Sequence, residues 1–256
     1  MYLYMKQFVL FITIGLLISC AREPSRLHAV SGEQVPVNSV IIPDDSIESF
    51  IKPYRKRVNE VLDSVLAYAP VTLQKTDGEL NSSEGNLMAD IILTQARPIF
   101  KSRTGKEVNM ALMNYGGIRN VISAGPVTAR TAFEVMPFEN FIVVLELSGS
   151  TVREMVQYLI ASDRPQPMAG FQIVLGPEGD LRAVNVGGAP LDERKTYYLA
   201  TIDYLLEGGG NADFLKQNTQ VTDLNYLVRN AMIDYFTAVD TVKARVDDRF
   251  IKKMNP

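Results

Sequence analysis

The sequence predicts a mixed α+β fold, because segments typical of helices and segments typical of strands are interleaved along it. Some segments repeat apolar residues at helical spacing, whereas others alternate or run continuously apolar as strands do. After residue 170 the strand-like segments follow one another at hairpin-like spacing. The 256 residues are 46% hydrophobic and 21% charged, which is ordinary for a globular protein and provides ample material for a core.

Five segments have the apolar spacing of a helix. The first extends from about residue 47 to Leu66, with candidate caps at 44–46, and Pro53 is expected in its first turns or at a bend. Pro98 is expected to end the second. The other predicted helices are Leu87–Ala96, Thr128–Val135, Gly149–Ala161 and a stretch from about 224 to 238.

The strand candidates differ in the degree of burial that their patterns predict. Phe141–Leu147 is rich in valine, isoleucine and leucine and predicts a buried strand, and Val108–Met113 has the same character. Val71–Lys75 alternates, as a half-buried strand does. Three more strands are predicted near residues 171–175, 181–186 and 197–202.

The N-terminus has the features of an export signal. Lys6 precedes the uncharged run Phe8–Ile18, which is too short to span a bilayer, since spanning needs about 20 apolar residues. The run ends in Leu17-Ile18-Ser19-Cys20, which resembles a bacterial lipobox, although Cys20 could also be incidental to a secretory cleavage site. Cys20 is the only cysteine, so an intramolecular disulfide is impossible.

These features predict an exported bacterial lipoprotein that is lipidated on Cys20, held at a membrane by that anchor, and facing the periplasm or the cell surface. Residues 1–19 are then a lipoprotein signal peptide. Residues 20–39 lack apolar periodicity and are expected to form a flexible tether. No second linker or repeat follows, so residues 40–256 are predicted to be one domain.

Charge and histidine content exclude several function classes. The formal net charge is −3 without a basic cluster, so nucleic acid is not an expected partner. The single histidine, His28, lies in the predicted tether. A dinuclear metal centre needs a dense set of ligands, and a serine–histidine triad needs a histidine in the folded domain. We therefore expect no catalytic residue, no metal and no cofactor in this chain.

Three loops that follow or precede apolar elements carry candidate binding residues. In the first, Gly116 and Gly117 allow the backbone to approach a ligand closely, Asn114 offers an amide, and Arg119 can bind a phosphate through two hydrogen bonds. A glycine pair after a strand is, however, often only a turn.

The second and third loops each present an aromatic residue. Phe138, in Met136–Asn140, could stack on a purine base or could belong to the core. Tyr204 precedes the glycines at 208–210, which could equally form a flexible hairpin. Two aromatic rings, an amide and a guanidinium on glycine-rich loops are the parts needed to hold a base and a phosphate.

Five motifs together resemble the C-terminal domain of the 5′-nucleotidase family, in the order and spacing of that family, across roughly residues 45–240. The motifs are Gly85-Asn86-Leu87-Met88-Ala89-Asp90, Asn114-Tyr115-Gly116-Gly117-Ile118-Arg119, Gly125-Pro126-Val127-Thr128, Met136-Pro137-Phe138-Glu139-Asn140, and Asp203-Tyr204 followed by Gly208-Gly209.

The resemblance implies a layered α/β/β/α domain that binds the substrate nucleotide, while an N-terminal metallophosphoesterase domain performs hydrolysis in the family. By position, Phe138 and Tyr204 correspond to the pair that sandwiches the base. Asn114 and Arg119 correspond to groups that contact base or phosphate, and Asn140 corresponds to a polar residue facing the base.

The chain departs from the family pattern at two places. The stretch Asp77–Asn81 lacks the arginine that the family uses for phosphate, and Gly210 replaces an aspartate that binds ribose hydroxyls, leaving Asn211 or Asp213 as substitutes. Two hypotheses follow. The chain binds a nucleotide or nucleoside and works in nucleotide catabolism with a separately encoded metallophosphoesterase, where the divalent metals are then expected. Alternatively, it is a non-enzymatic nucleoside-capture or scaffold lipoprotein that has lost phosphate binding.

Overall fold

A computed structural model describes residues 4–10, 12, 27, 29–38 and 40–253. The chain divides into two compact units, residues 1–50 and 51–256. Cys20, His28 and most of the predicted signal peptide lie outside the described residues, and the predicted domain boundary at residue 40 stays a prediction. Within the described ranges, no helix combines the length and the apolarity needed to cross a membrane.

The fold is mixed α+β, as predicted from the sequence. Within residues 40–253 the α-helices are α1 (Asp45–Leu62), α2 (Ser83–Thr104), α3 (Ala129–Val135), α4 (Gly149–Ala161), α5 (Asp203–Leu206) and α6 (Val228–Ala238). The strands are β1 (Val65–Ala69), β2 (Met110–Leu112), β3 (Gly125–Thr128), β4 (Phe141–Ser148), β5 (Met168–Ala169), β6 (Phe171–Leu175), β7 (Leu181–Val186), β8 (Ala189–Pro190), β9 (Thr196–Ile202), β10 (Gln220–Leu227) and β11 (Phe250–Lys252).

The strands form a five-stranded sheet in the order β10-β4-β9-β2-β5, a four-stranded sheet in the order β11-β6-β7-β8, and the pair β1-β3. The five-stranded sheet forms the centre of the core. Ile142–Leu145 of β4 are buried at consecutive positions, which means that both faces of the strand are covered. Helix α2 contacts β2, β5 and β9, and α4 contacts β4 and β9.

The first predicted helix extended too far. Helix α1 ends at Leu62 with Pro53 inside it, and Val65 and Leu66 begin strand β1 instead. The strand forms because β1 pairs antiparallel with β3, a contact that local spacing does not show. The predicted strand Val71–Lys75 is also wrong, since only Leu73 pairs there, with Ile122.

The prediction that Pro98 ends the second helix is wrong. Helix α2 continues through Pro98 to Thr104 and ends at Gly105, whose φ of 73° is left-handed. Proline removes one helical hydrogen bond, but Ala96 and Phe100 on either side of it are buried in the core. Burial of this apolar face offsets the lost bond.

The last predicted helix begins too early. Residues Gln220–Leu227 form strand β10 on the edge of the central sheet, and helix α6 begins at Val228. Most of β10 is exposed or only half-buried, so its residues do not show the apolar pattern of a buried strand. Its extended conformation is stabilised by antiparallel pairing with β4.

The Gly85–Asp90 motif lies in the first turns of α2 and anchors the C-terminal segment. The side-chain amide of Asn86 donates to the Arg245 carbonyl oxygen at 2.9 Å. Asp90 forms an ion pair with Arg249 at 3.0 Å, next to β11. This motif therefore holds the end of the chain against α2.

Candidate functional site

The three predicted loops meet at one edge of the central sheet. Strands β2 and β9 are parallel neighbours, so the loops that follow them leave the same edge. Strand β4 is antiparallel to β9, with Ile142 opposite Ile202, so the loop that precedes β4 lies at that edge too. Sheet topology thus brings together segments that are distant in sequence.

A cleft of about 530 Å³ opens between these loops. Its lining contains all seven residues predicted from the sequence and adds one more, Glu139. The lining residues are Asn114, Gly116, Gly117, Arg119, Phe138, Glu139, Asn140 and Tyr204.

The first loop is a single 3₁₀ turn that closes on Asn114. The Gly117 amide donates to the Asn114 carbonyl oxygen at 3.0 Å, and the Arg119 amide donates to Val135 at 2.9 Å. A Cβ on Gly117 would come within 3.0 Å of Asn114 Oδ1. Glycine is therefore needed at this position to let the Asn114 side chain lie against the backbone.

The Asn114 side chain has an unusual polar environment. Its Oδ1 is buried and has no hydrogen-bonding partner among the described residues. Leaving a buried amide oxygen unpaired costs about 1–3 kcal/mol. Asn114 as a residue lines the cleft, so its side-chain amide is close to the space that a ligand would occupy.

The two aromatic residues stand in the cleft with half-exposed rings. Phe138 is 44% exposed and Tyr204 is 46% exposed, so Phe138 is not a core residue. The guanidinium carbon of Arg119 lies 5.8 Å from the centroid of the Phe138 ring, within the range of cation–π interactions. Both rings have apolar surface that a planar ligand could cover.

Asp203 joins the second loop to the third. Its carboxylate accepts hydrogen bonds from Asn140 Nδ2 at 2.9 Å, the Phe141 amide at 3.1 Å and the Tyr204 amide at 2.8 Å. The bond to Nδ2 orients the Asn140 amide and leaves its oxygen as an acceptor. Asp203 belongs to the last of the five motifs, but its residue type and position alone did not predict this role.

Arg229, at the start of α6, also holds the second loop in place and is not among the residues predicted from the sequence. Its side chain is 9% exposed, and its guanidinium donates to the Pro137 carbonyl oxygen at 3.3 Å. It also lies 3.6 Å from a Glu139 carboxylate oxygen and 4.3 Å from the Phe133 ring centroid. No local signal identifies such a residue, because Pro137 is 92 positions away in the chain.

The glycines of the third loop shape the surroundings of Tyr204. Gly208 and Gly210 have φ values of 97° and 63°, which glycine adopts without strain. A Cβ on Gly209 would overlap the Tyr204 ring and carbonyl oxygen. The Tyr158 hydroxyl donates to the Gly210 carbonyl oxygen at 2.9 Å, and burial raises the pKa of Tyr158.

The two candidate substitutes for a ribose-binding aspartate are not part of the cleft lining. Neither Asn211 nor Asp213 lines it. Asp213 instead forms a surface ion pair with Lys216 at 2.6 Å. Among the described residues there is also no group of three or more histidine, cysteine, aspartate or glutamate side chains that could hold a metal ion.

The family model described as the 5′-nucleotidase, C-terminal domain, matches residues 65–217, which is more than half of the chain. The chain belongs to this family. The resemblance seen in the five motifs is thereby confirmed, and the matched range lies inside the predicted one.

Curated relatives of this 5′-nucleotidase C-terminal domain are much longer proteins. Protein UshA of Escherichia coli strain K12 is 26% identical over 183 residues, which cover 69% of this chain and 32% of the relative. The 5′-nucleotidase of Vibrio vulnificus is 26% identical over 189 residues, which cover 69% of this chain and 31% of the relative. The chain thus spans about a third of the length of these relatives.

A solved structure has the same fold. The 5′-nucleotidase precursor of Thermus thermophilus superposes with a TM-score of 0.67 at 25% identity, covering 84% of this chain and 44% of that chain. The mixed α+β architecture described above is therefore that of the 5′-nucleotidase C-terminal domain.

Proposed function

We propose that the cleft binds a nucleoside or nucleotide, with its base between Phe138 and Tyr204. The observation that carries this proposal is the convergence of seven residues from three separate loops on one cleft, two of them half-exposed aromatic rings. A cleft of about 530 Å³ is within the size range of small-molecule sites. Stacking of a base on an aromatic ring contributes about 1–3 kcal/mol and tolerates different bases.

Polar groups around the two rings supply the hydrogen bonds that fix a base. Asn114 and Asn140 both line the cleft, and the oxygen of the Asn140 amide is left as an acceptor for a base N–H group. Arg119 is exposed at the same cleft and can contact an anionic group. Gly116 and Gly117 also line the cleft and have no side chain that would fill it.

Calorimetric titration with adenosine and AMP tests the base site. Phe138→Ala is expected to weaken adenosine binding by roughly 10- to 100-fold, because it removes one stacking surface. Tyr68→Ala is the matched control, since Tyr68 is exposed on β1 and does not line the cleft. Equal affinity of wild type and Phe138→Ala would contradict the proposed base position.

The proposal extends to nucleotide catabolism with a separately encoded metallophosphoesterase. Two facts support it: the matched residues cover only 32% of the relative, and the chain has one histidine with which to build a metal centre. The test measures AMP hydrolysis in the presence of divalent metal, first with this chain alone and then with the separately encoded metallophosphoesterase added. Full hydrolysis by this chain alone would contradict the proposal that a separate metallophosphoesterase performs the reaction.

A second candidate is a non-enzymatic nucleoside-capture or scaffold lipoprotein that has lost phosphate binding. The replacement of the ribose-binding aspartate by Gly210, with neither Asn211 nor Asp213 in the cleft lining, favours it. In the same titration, adenosine binding without preference for AMP supports capture of nucleosides. If neither adenosine nor AMP binds, the result supports the scaffold lipoprotein instead.

Export and lipid anchoring through Cys20 also belong to the proposal, and they rest on the lipobox-like residues Leu17-Ile18-Ser19-Cys20. Radiolabelled palmitate is expected to be incorporated by the wild-type chain in a bacterial host. Replacement Cys20→Ser is expected to abolish incorporation, because the thiol is the acylated atom. Persistent labelling of this variant would exclude Cys20 as the anchor.

A further inference from the structure

Helix α1 carries an apolar stripe that the fold does not bury. From residue 51 onward, the apolar residues of the helix lie within an arc of about 100°, at 3.6 residues per turn. This α1 stripe consists of Ile51, Tyr54, Val58, Val61 and Leu62. No residue of α1 is buried, and Tyr54, Val58 and Val61 are 64%, 52% and 54% exposed. An amphipathic helix of a globular domain ordinarily packs its apolar side on the core, so α1 departs from that arrangement.

A polar side of α1, and not the stripe, makes the side-chain contact that holds the end of the helix. The Arg130 guanidinium of α3 donates to Asp63 Oδ1 at 2.6 Å through Nε, and to Asn59 Oδ1 at 2.9 Å through Nη2. Asn59 lies about 110° around the helix from the centre of the stripe, at 3.6 residues per turn. Asp63 directly follows the last turn of the helix. This contact therefore attaches α1 to α3 while the stripe stays exposed.

Basic residues border the stripe on both sides. Lys52, Arg55, Lys56 and Arg57 lie within six positions, and Glu60 is the acidic residue of this part of the helix. At the helical period, Arg55 and Arg57 fall next to opposite edges of the stripe. The side chains of Lys56 and Arg57 are 78% and 79% exposed, and each lies 3.9 Å from Glu60. The helix is thus locally basic in a chain whose formal net charge is −3.

This combination fits the surface of an anionic membrane. A helix with an apolar side, an aromatic residue and bordering lysines and arginines is typical of helices that lie in the plane of a membrane surface. Anionic lipids supply both the apolar layer and the negative charge that such a helix needs. The predicted anchor Cys20 lies about 25 positions before α1, and a flexible segment of that length spans roughly 25–30 Å on average. A lipid on Cys20 would therefore keep α1 close to the bilayer.

We propose that the α1 stripe docks on an anionic lipid surface. Tyr54, Val58 and Val61 enter the apolar layer, and the bordering basic side chains contact the lipid headgroups. The proposal rests on the lipid anchor proposed for Cys20 and adds a second point of attachment. The two attachments reinforce each other, because the anchor raises the local concentration of the helix at the membrane.

The experiment places a fluorescent probe on either side of α1 in the full chain isolated from a bacterial host. Val58→Cys and Lys56→Cys are each labelled with nitrobenzoxadiazole, whose emission moves to shorter wavelength in an apolar environment. Wild type treated with the same reagent gives the background from Cys20. The vesicles are phosphatidylcholine with and without phosphatidylglycerol. We expect the emission shift at position 58 and not at 56, with at least about tenfold higher affinity for the anionic vesicles.

A charge placed in the stripe tests its apolar contribution. Val61→Asp, combined with the labelled Val58→Cys, is expected to weaken vesicle binding about tenfold or more, because the carboxylate cannot enter the apolar layer. Val121→Asp in the same labelled chain is the matched control, since Val121 is also exposed and lies outside α1. Thermal melts check that both variants are folded. Higher ionic strength is expected to weaken binding to the anionic vesicles.

Several results would overturn the docking of α1 on lipid. They are equal shifts at positions 56 and 58, no shift at either with vesicles, or equal affinity for the two kinds of vesicle. A shift without vesicles that grows with protein concentration would instead assign the stripe to a second copy of the chain. A shift that needs the separately encoded metallophosphoesterase would assign it to a subunit interface.

The docking and the anchor can fail separately. Incorporation of palmitate without a shift at position 58 would refute the docking and leave the anchor on Cys20 standing. A vesicle-dependent shift at position 58 without incorporation of palmitate would support the docking and contradict the anchor alone. Absence of both would refute both.

Discussion

At the scale of single residues, several side chains have buried polar atoms without hydrogen-bonding partners among the described residues. Asn114 keeps an unpaired oxygen at the cleft, and Glu84 keeps an unpaired carboxyl in the first turn of α2. Such groups reduce stability, since burial disfavours their hydration and, for Glu84, its charged form.

The pH dependence of stability should report the burial of Glu84. Its pKa rises from 4.5 to about 8 on folding, so the native state holds an extra proton and stability falls as pH rises through this window. Glu84→Gln cannot ionise. We expect it to match wild type near pH 5 and to exceed it by roughly 4 kcal/mol above pH 8.

Urea denaturation at pH 5, 7 and 9 measures this difference. Glu178→Gln serves as the control, because Glu178 is exposed and its substitution should leave the profile of the wild type unchanged. An equal offset between wild type and Glu84→Gln at all three pH values would show that Glu84 does not titrate in this range.

At the scale of elements, the cleft exists because strand ends and helix starts are joined by a few side chains. Asp203, at the start of α5, binds both the Asn140 side chain and the amide at the start of β4. Arg229, at the start of α6, binds the carbonyl oxygens before β4. These contacts set the distance between the loop of Phe138 and the loop of Tyr204.

Asp203→Asn should therefore weaken both binding and folding. An asparagine has one acceptor oxygen and one amino group, so it cannot accept from all three donors that face Asp203. We expect adenosine affinity to fall about tenfold, and stability to fall by about 1–3 kcal/mol.

Calorimetry and urea denaturation measure these two effects. Asp213→Asn is the matched control, because Asp213 lies on the neighbouring surface, pairs with Lys216 and does not line the cleft. Unchanged adenosine affinity in Asp203→Asn would show that this carboxylate does not position the site.

At the scale of the whole molecule, Arg249 holds the segment before β11 against helix α2, which carries the first motif. Arg249 bonds to Asp90 at 3.0 Å, to Asp247 at 2.8 Å and to the Met168 carbonyl oxygen at 2.8 Å. These contacts join the start of β11 to α2 and β5, and none of the residues involved lines the cleft.

Arg249→Met should therefore lower stability and leave ligand binding intact. Removing the guanidinium leaves two carboxylates and a carbonyl without their common partner, and we expect a loss of roughly 2–3 kcal/mol in the free energy of unfolding. Arg194→Met should change stability by less than about 0.5 kcal/mol, since its side chain is exposed. A loss of adenosine affinity in Arg249→Met would show that this region is coupled to the cleft.

Local pattern was sufficient for elements whose apolar residues face a core on a regular period. Helix α4 has the predicted bounds, and strand β4 extends one residue beyond its prediction, because spacing and burial agree in both. The failures lie where tertiary contacts outweigh local signals. Pro98 stays inside α2 because its neighbours are buried, and β1 and β10 are strands because β3 and β4 pair with them.

Residue types at fixed spacing were enough to predict the family, the mixed α+β class and the seven residues around the cleft. How these residues meet depends on the parallel and antiparallel pairing of β2, β9 and β4, which no local pattern encodes. The contacts of Asp203 and Arg229 likewise join segments that are far apart in the chain. Long-range side-chain contacts leave no periodic signal in a sequence, and for that reason they can be identified only in the folded structure.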